Sequence, residues 1–353
     1  MIRLGIVGTN YGRNVLLPAF RNDPRCVVLA IAGTDQARTA EVARECGIPT
    51  AFGNWEDLLK RTDIDAVAIA TPPEIQPAIA ARAFERDKAV LIEKPMAANL
   101  EDAVALLRAS RVGEPIAMID FNFAELATWR KAREMLHAGA IGYLRHVSVN
   151  WYVENRATQL RLKNWKTSAA SGGGTLVNLA SHSMYYLEWF CGPITELTAR
   201  LANLPDDPEF EVTVMASLAF ASGGSGSLTV SSASFLGSGH RLEFYGEDGT
   251  LVLANTTTDY MRGFTVQHAR RPAGALEPVA VEPDRFDAGA PDGRIAPVSR
   301  LAGRFLDAIE QRRPAVPGFA EGYRVQLLLD AVRRSHENKS AVKIPEPAAA
   351  EAL

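Results

Sequence analysis

The side chain with the clearest chemical potential is a lysine at the end of a predicted strand. Lys94 follows the continuous apolar run 89–92 and lies between Glu93 and Pro95. Such a run is typical of a strand that is buried on both faces, and ligands bind beyond the carboxyl ends of such strands. An ammonium group there can polarise a hydroxyl or carbonyl oxygen and stabilise developing negative charge. The alternative interpretation is a surface lysine that pairs with Glu93.

A second group of reactive side chains follows a glycine-rich segment, Gly172–Gly174. The segment 176–190 has a helical pattern that places Asn178, His182 and Tyr185 on one face. Histidine exchanges protons near neutral pH, so this stripe is predicted to be the wall of a site in which His182 is an acid or base. The alternative is a core histidine whose hydrogen bonds are satisfied.

The loop after the first apolar run, 2–7, carries an altered form of the dinucleotide-binding pattern GxGxxG. That pattern makes a tight turn, admits a pyrophosphate close to the backbone and aims a helix N-terminus at it. Asn10 and Arg13 replace the second and third glycines. Asparagine tolerates a positive φ, and an arginine can meet a phosphate by charge. A structural strand-to-helix turn is the alternative. The predicted cofactor contacts in this loop are Gly8, Thr9, Asn10, Tyr11, Gly12 and Arg13.

The end of the second apolar run bears on the choice between NAD and NADP. An acidic residue at this point reads the ribose hydroxyls of NAD, whereas a nearby arginine accepts the 2′-phosphate of NADP. Asp35 lies late enough to serve instead as the cap of the next helix. Thr34 and Arg38 are the predicted contacts, and the cofactor is NAD or NADP.

The elements that must position these residues alternate between strands and helices. The apolar runs are 2–7, 27–32, 66–70, 89–92 and 116–119, and the helical patterns between them are 39–46, 55–59, 75–84 and 100–107. This alternation predicts an α/β domain with a doubly wound parallel sheet, a Rossmann domain, over residues 1–120. Right-handed crossovers then bring every strand end to one edge.

The rest of the chain predicts an α+β domain over residues 121–345, with a flexible tail over 346–353. Apolar residues alternate strictly from Val147 to Val153, and strand patterns recur at 212–220, 226–232, 241–245 and 250–253. Together they predict a large, mostly antiparallel open sheet. The stretch 271–297, which is rich in Pro, Gly, Ala and Asp, is predicted to be a long loop.

Composition excludes several classes of function. The 353-residue chain has a formal net charge of −3 and no long basic run, so we expect no nucleic-acid partner. No apolar stretch approaches the ~20 residues that span a bilayer, and no signal peptide is recognisable at the start. Three scattered cysteines fit a reducing cytoplasm, and the six histidines show no metal-ligand spacing. We therefore expect a cytoplasmic protein without a metal.

At the strand ends the chain resembles the glucose–fructose oxidoreductase / inositol dehydrogenase / rhizopine-catabolism (Gfo/Idh/MocA) family. Glu93-Lys94-Pro95 is that family's best-known motif, and Thr71-Pro72-Pro73 ends the preceding strand. The resemblance extends over nearly the whole chain. Its further segments are Leu17–Phe20, Gly172–Gly174, Phe244–Gly246, Gly249–Leu251 and Asp330–Ser335.

The resemblance implies roles for individual residues. His182 transfers the proton, and Asn178 orients substrate where relatives often have Asp. Lys94 contacts both cofactor and substrate and steadies the reacting oxygen. Tyr185 stands where relatives often carry Asp and either contacts substrate or fills the core. The remaining implied contacts with cofactor or substrate are Thr71, Pro72, Pro73, Gln76, Glu93, Asn122 and Trp165. Relatives form dimers through one face of the second sheet, so a homodimer or homotetramer is expected.

The implied activity is hydride transfer between a nicotinamide cofactor and a secondary alcohol or ketone of a sugar, nucleotide-sugar or cyclitol. The absence of Arg at Ala124 and of Asp at Asn178 suggests as one alternative the reduction of an imine or non-sugar carbonyl. A cofactor- or sugar-sensing protein without turnover is another alternative, supported by the altered glycine loop. The sequence does not select a substrate.

Overall fold

The structure, a computed structural model, describes residues 1–168 and 171–347, which fall into two compact units. The first consists of Met1–Glu125 and Asp284–Tyr323, and the second of Leu126–Pro283 and the described chain from Arg324 onward. The strands are β1 (Ile2–Val7), β2 (Cys26–Ala32), β3 (Thr50–Phe52), β4 (Ala66–Ile69), β5 (Ala89–Glu93), β6 (Ala117–Asp120), β7 (Leu144–Tyr152), β8 (Ile194–Leu204), β9 (Asp207–Phe220), β10 (Ser225–Ser231), β11 (Gly239–Gly246), β12 (Gly249–Asn255), β13 (Thr265–Arg270), β14 (Glu277–Val279) and β15 (Val342–Lys343). The α-helices are α1 (Leu17–Arg21), α2 (Gln36–Cys46), α3 (Trp55–Leu59), α4 (Gln76–Phe84), α5 (Leu100–Ala109), α6 (Ala127–His137), α7 (Arg156–Gln159), α8 (Ser181–Cys191), α9 (Ile295–Gln311) and α10 (Phe319–Asn338).

The first unit contains a six-stranded parallel sheet in the order β3-β2-β1-β4-β5-β6. This is the strand order of a dinucleotide-binding fold, so the prediction of a doubly wound sheet is confirmed. The five predicted strands are present. Strand β3 was not predicted, because its three half-buried residues make no continuous apolar run. Three helices of the first unit, α2, α3 and α5, begin at side-chain caps: Asp35, Asn54 and Asn99 each accept a hydrogen bond from the backbone N–H three residues on.

After the strands of the second sheet, the chain returns to the first unit at Asp284. The predicted boundaries of 1–120 and 121–345 did not include this return. Helix α9 buries Val298, Leu301, Phe305 and Leu306, a stripe at helical spacing, in the core beside β1 and β2. The Phe305 ring meets Phe20 of α1 edge-on at 6.3 Å between ring centroids. Residues 284–323 therefore belong to the first unit, and α9 is part of its core. The predicted loop 271–297 is also wrong in two places, since it contains β14 and the start of α9.

The second unit is built on a nine-stranded sheet in the order β14-β13-β12-β11-β7-β10-β9-β8-β15. Its pairs are antiparallel except for the parallel pair of β7 and β10. The prediction of a mostly antiparallel sheet is therefore confirmed. Helix α8 contributes Tyr186 and Phe190 to an aromatic core with Trp129 of α6 and Phe244 of β11. In this unit Arg324 forms a buried ion pair with Glu188 at 2.8 Å.

Within residues 1–168 and 171–347, no helix is long and apolar enough to cross a membrane. The same part of the chain contains no group of three or more His, Cys, Asp or Glu side chains that is placed to hold a metal ion. The predicted flexible tail, 346–353, lies from residue 348 onward outside the described residues.

Candidate active site

The altered glycine loop makes a tight turn at Gly8 and packs closely at Gly12. Gly8 has a φ of +112°, and a Cβ there would lie 2.2 Å from the carbonyl oxygen of Ala70 at the end of β4. Gly12 begins a π-helical turn, Gly12–Leu16, and a Cβ there would lie 2.7 Å from Cγ2 of Ile6. Gly12 thus performs the close helix-to-strand packing that the third glycine of the usual pattern provides. The turn has no side-chain cap, so its N-terminus is compatible with a phosphate.

Two other residues of this loop that were predicted to contact the cofactor, Asn10 and Arg13, interact with neighbouring side chains. Asn10 is exposed, and its backbone and side-chain oxygens both accept hydrogen bonds from Asn14. Arg13 forms an ion pair with Glu45 of α2 at 3.0 Å. That pairing supplies an alternative partner for the guanidinium that we expected to meet a phosphate.

At the end of β2, Asp35 serves as the cap of α2. Its Oδ1 accepts a hydrogen bond from the backbone N–H of Arg38 at 2.9 Å. Thr34 and the side chain of Arg38 are exposed beside it. The carboxylate that would read ribose hydroxyls is therefore engaged with the helix, as the alternative interpretation of Asp35 proposed.

The backbone of the turn after β5 is hydrogen-bonded to the side chain of Gln76. This side chain is completely buried, and its Nε2 donates hydrogen bonds to the carbonyl oxygens of Glu93 at 2.9 Å and Pro95 at 2.7 Å. Those two residues flank Lys94, whose peptide bond to Pro95 is cis. Gln76, predicted to bind cofactor, is thus placed as a support for the backbone at Lys94. Thr71 lies at the end of the neighbouring strand, and its buried Oγ1 has no hydrogen-bond partner in the described part of the chain.

A polar cluster at the end of β6 links this edge to the glycine loop. The hydroxyl of Tyr11 donates a hydrogen bond to Oδ2 of Asp120 at 2.9 Å and accepts one from Nδ2 of Asn122 at 3.3 Å. Asp120 is the register partner of Glu93 in the sheet. Asn122 was predicted at this edge, whereas Asp120 was missed. Its signal in the sequence was an acidic residue directly after an apolar run.

In the second unit, two residues of the glycine-rich segment, Gly173 and Gly174, are in close contact with the loop at Trp165 and with the carboxylate of Glu211. A Cβ on Gly173 would lie 2.3 Å from the carbonyl oxygen of Trp165, and one on Gly174 would lie 2.2 Å from Oε1 of Glu211. The same Oε1 accepts the backbone N–H of Leu176 at 2.9 Å. Burial raises the pKa of Glu211. Glu211, which the sequence analysis missed, therefore satisfies the N-terminus of the segment that carries His182.

That segment begins with a second π-helical turn, Leu176–Ala180, before α8. Asn178 lies in this turn, and its Nδ2 donates to the carbonyl oxygen of Gly174 at 3.0 Å and more weakly to that of Lys166 at 3.4 Å. Asn178 thus ties the glycine entry to the loop that holds Trp165, which is half-buried with the Lys166 ammonium 5.6 Å from its ring centroid. Tyr185 is half-buried on α8.

His182 is buried beside an aromatic stack. It is 6 % exposed, and its ring centroid lies 6.3 Å from that of Trp151 on β7. Trp151 stacks in parallel on His240 of β11 at 4.3 Å, and Nε2 of His240 lies 2.9 Å from the hydroxyl of Tyr186. Burial lowers the pKa of His240 to about 3. His240 is therefore neutral across the working pH range.

Comparisons with known proteins agree with these two units. Residues 2–121 match the model of an oxidoreductase family with an NAD-binding Rossmann fold, and residues 129–252 match the C-terminal domain model of the same family. An uncharacterised oxidoreductase of Synechocystis is 33% identical over 98% of this chain and 96% of its own length. The chain is a member of the Gfo/Idh/MocA family.

Two other similar proteins carry named activities. A dTDP-3,4-didehydro-2,6-dideoxy-alpha-D-glucose 3-reductase of Streptomyces violaceoruber is 26% identical, with 92% of this chain and 85% of the relative covered. The structure of a levoglucosan dehydrogenase in complex with NADH and levoglucosan superposes with a TM-score of 0.89 at 23% identity, covering 98% of this chain and all of that one. This Gfo/Idh/MocA protein therefore has an oxidoreductase fold with an NAD-binding domain, and family membership favours the enzyme over the non-catalytic sensor.

The support of Lys94 can be tested in this Gfo/Idh/MocA member by substituting Gln76→Leu. The change removes the hydrogen bonds that Gln76 donates to two carbonyl groups, one buried and one part-buried, so we expect the free energy of unfolding to fall by about 1–3 kcal/mol. Displacement of Lys94 should also reduce turnover by up to about 100-fold. Thermal melting and steady-state kinetics measure the two effects. Gln36→Leu is the matched control, because Nε2 of Gln36 also bonds a carbonyl, that of Ala51, but at the surface. Equal behaviour of the two variants would contradict the supporting role.

Proposed function

We propose that this protein is an NAD-dependent dehydrogenase or reductase that acts on a secondary alcohol or ketone of a carbohydrate. The observation that carries the proposal is the turn of Lys94, which Gln76 holds at the carboxyl edge of the NAD-binding sheet. Ligands bind at that edge in a doubly wound fold. Two of the similar proteins named above are a levoglucosan dehydrogenase and the reductase of a dTDP-linked glucose, which supports the carbohydrate class.

The residues of the first unit fit the cofactor. The uncapped turn at Gly12 suits a phosphate, and Thr71 offers a buried hydroxyl at the next strand end. NAD supplies or accepts the hydride when it is bound. Lys94 then has the charge to hold the substrate oxygen and to stabilise the negative charge that develops on it.

His182 is the proposed acid–base group. A histidine takes the hydroxyl proton during oxidation and returns it during reduction. Its position is fixed by the helix start that Glu211 caps and by the aromatic stack against Trp151. Asn178 is proposed to orient both substrate and the glycine entry, because its amide nitrogen already bonds the backbone of that entry.

Titration with NADH and NADPH, followed by nicotinamide fluorescence, tests the cofactor part of this proposal. We expect NADH to bind, because the family model describes an NAD-binding fold. Tighter binding of NADPH would instead assign the exposed Arg38 to the 2′-phosphate. A panel of sugars, nucleotide-sugars and cyclitols in the presence of NAD⁺ then tests the substrate class. Binding of neither nucleotide by the folded protein would refute the function.

We also propose that the protein forms a homodimer or homotetramer through the second sheet. On one face of the central strands the register aligns the small side chains of Ser148, Ser217 and Ser227, flanked by the partly exposed Met215 and Tyr245. A sheet face of small side chains suits sheet-on-sheet association. Sedimentation equilibrium measures the assembly, and a monomer at micromolar concentration would contradict it.

A further inference from the structure

Asp120 is a buried acid for which the proposed reaction so far has no use. It ends β6, it is 0 % exposed, and its neighbour in register is Glu93. Strands β4, β5 and β6 form the half of the sheet that lies opposite β1–β3 across the switch point, and a dinucleotide extends over both halves. With the pyrophosphate at the β1 loop, as proposed above, the nicotinamide would lie over the half that contains Asp120 and Lys94.

The protonation of the Asp120 carboxyl is sensitive to the charge of neighbouring groups, because the carboxyl is buried and makes few hydrogen bonds. One oxygen, Oδ2, accepts the hydroxyl of Tyr11, while Oδ1 is buried with no hydrogen-bond partner among the described residues. Burial is the main cause that raises the pKa of this carboxyl, and the carboxylate of Glu93 raises it further. Tyr11, Lys94 and Arg294 act in the opposite direction without overcoming the effect of burial.

Two other charged side chains near this strand end belong to ion pairs. Arg294 forms an ion pair with Asp292 at 2.5 Å, and its guanidinium lies 5.3 Å from the ring centroid of Tyr11. Glu125, which ends the turn after β6, pairs with Arg304 of α9. Because burial and the neighbouring Glu93 disfavour the ionised form of Asp120, a new positive charge at the sheet edge would favour that form.

We propose that Asp120 is the residue through which this enzyme distinguishes oxidised from reduced cofactor, by releasing its proton to solvent when the cationic nicotinamide ring of NAD⁺ binds. The proposal rests on the proposed NAD-dependent function. The ring of NADH is neutral and leaves the carboxyl protonated. A nearby opposite charge favours the ionised acid, and linkage requires that the ionised acid in turn favours the cation.

The sign of the pH dependence follows. Because NAD⁺ binds better to the form without the proton, its affinity rises with pH between the pKa of Asp120 in the complex and its raised pKa in the free enzyme. The slope in this interval is up to about tenfold per pH unit, since one proton is released. Above the upper limit the affinity becomes constant. The affinity for NADH has no such slope from this residue.

Calorimetric titration of the wild-type enzyme with NAD⁺ and with NADH, each in buffers of different ionisation enthalpy, measures the released protons. We expect up to about one proton per site for NAD⁺ and none for NADH. Asp120→Asn keeps an acceptor for Tyr11 but has no proton to lose, so it should abolish the release and flatten the pH dependence. Asp57→Asn, at an exposed acid of the same unit, should change neither.

Tyr11→Phe provides a second variant if Asp120→Asn does not fold. Removing the hydroxyl that stabilises the ionised carboxylate should move the interval of proton release to higher pH. Equal proton release for NAD⁺ and NADH in the wild type would overturn the assignment of Asp120 while leaving the dehydrogenase intact. Binding of neither nucleotide would instead refute the proposed function.

Discussion

Substituting Lys94→Ala should reduce turnover by about 10²–10³-fold, the usual effect of removing one donor that stabilises a developing oxyanion. The ammonium is proposed to act on the substrate oxygen, so the loss should appear mainly in kcat. Binding of NADH should be nearly unchanged, because the phosphate turn at Gly12 and the buried hydroxyl of Thr71 remain. Steady-state kinetics with a substrate found in the sugar panel, together with NADH fluorescence, measure the two quantities separately.

The controls for this prediction distinguish charge from position. Lys94→Met retains the length of the side chain without its charge and should be as inactive as Lys94→Ala. Lys60→Ala removes an exposed lysine of the same unit, one that pairs with Asp57 at 2.7 Å, and should leave turnover unchanged. Activity of Lys94→Ala within about threefold of the wild type would refute the role of Lys94 in stabilising charge. Loss of NADH binding together with turnover would reassign Lys94 to the cofactor.

Much of the first unit could be predicted from the sequence because its signals are local. Strands buried on both faces leave continuous apolar runs, and helix caps occupy a fixed place before the helix. Asn54 and Asn99 are such caps, and the predicted helical patterns 55–59 and 100–107 begin directly after them, as α3 and α5 do. Lys94 could be placed at a strand end for the same reason, since the apolar runs 66–70 and 89–92 show where β4 and β5 end.

The features that the sequence did not reveal depend on contacts between distant segments. Glu211 caps a helix 35 residues away, and Gln76 supports a turn 17 to 19 residues away. The pattern of apolar and polar residues along a segment does not predict contacts between residues so far apart in the sequence. The π-helical turns at Gly12 and Leu176 are also invisible to an analysis that assumes 3.6 residues per turn.

A long-range contact also explains why the compact units of the structure differ from the predicted domain boundaries. The amphipathic pattern of α9 shows which of its faces is apolar but not which core that face enters. Contact with α1 and β1 settles the question in three dimensions. Asp120 was missed because an acidic residue after an apolar run can be a helix cap, a surface charge or a site residue. Only its complete burial beside Glu93, which the structure shows, distinguishes it from a surface charge.

Substituting His182→Ala should lower turnover by about 10²–10⁴-fold, the range for the loss of a general acid or base. The same variant should lose the acid limb of the pH profile for alcohol oxidation, because no base remains to be protonated. Free imidazole should restore part of the turnover, which it would not do if His182 only filled the core. Kinetics across pH, with and without imidazole, measure these effects, and thermal melting monitors the fold.

Two other histidines make this test specific. His240 lies in the same aromatic cluster, but its pKa of about 3 keeps it neutral, so it cannot produce the acid limb of the profile. His137, at the exposed end of α6, has a pKa that partial burial and Arg133 lower, and His137→Gln should leave the profile unchanged. If the acid limb persists in His182→Ala and imidazole restores nothing, proton transfer belongs to another group. His182 would then be a packing partner of Trp151, and Lys94 would be the next candidate for the proton-transferring group.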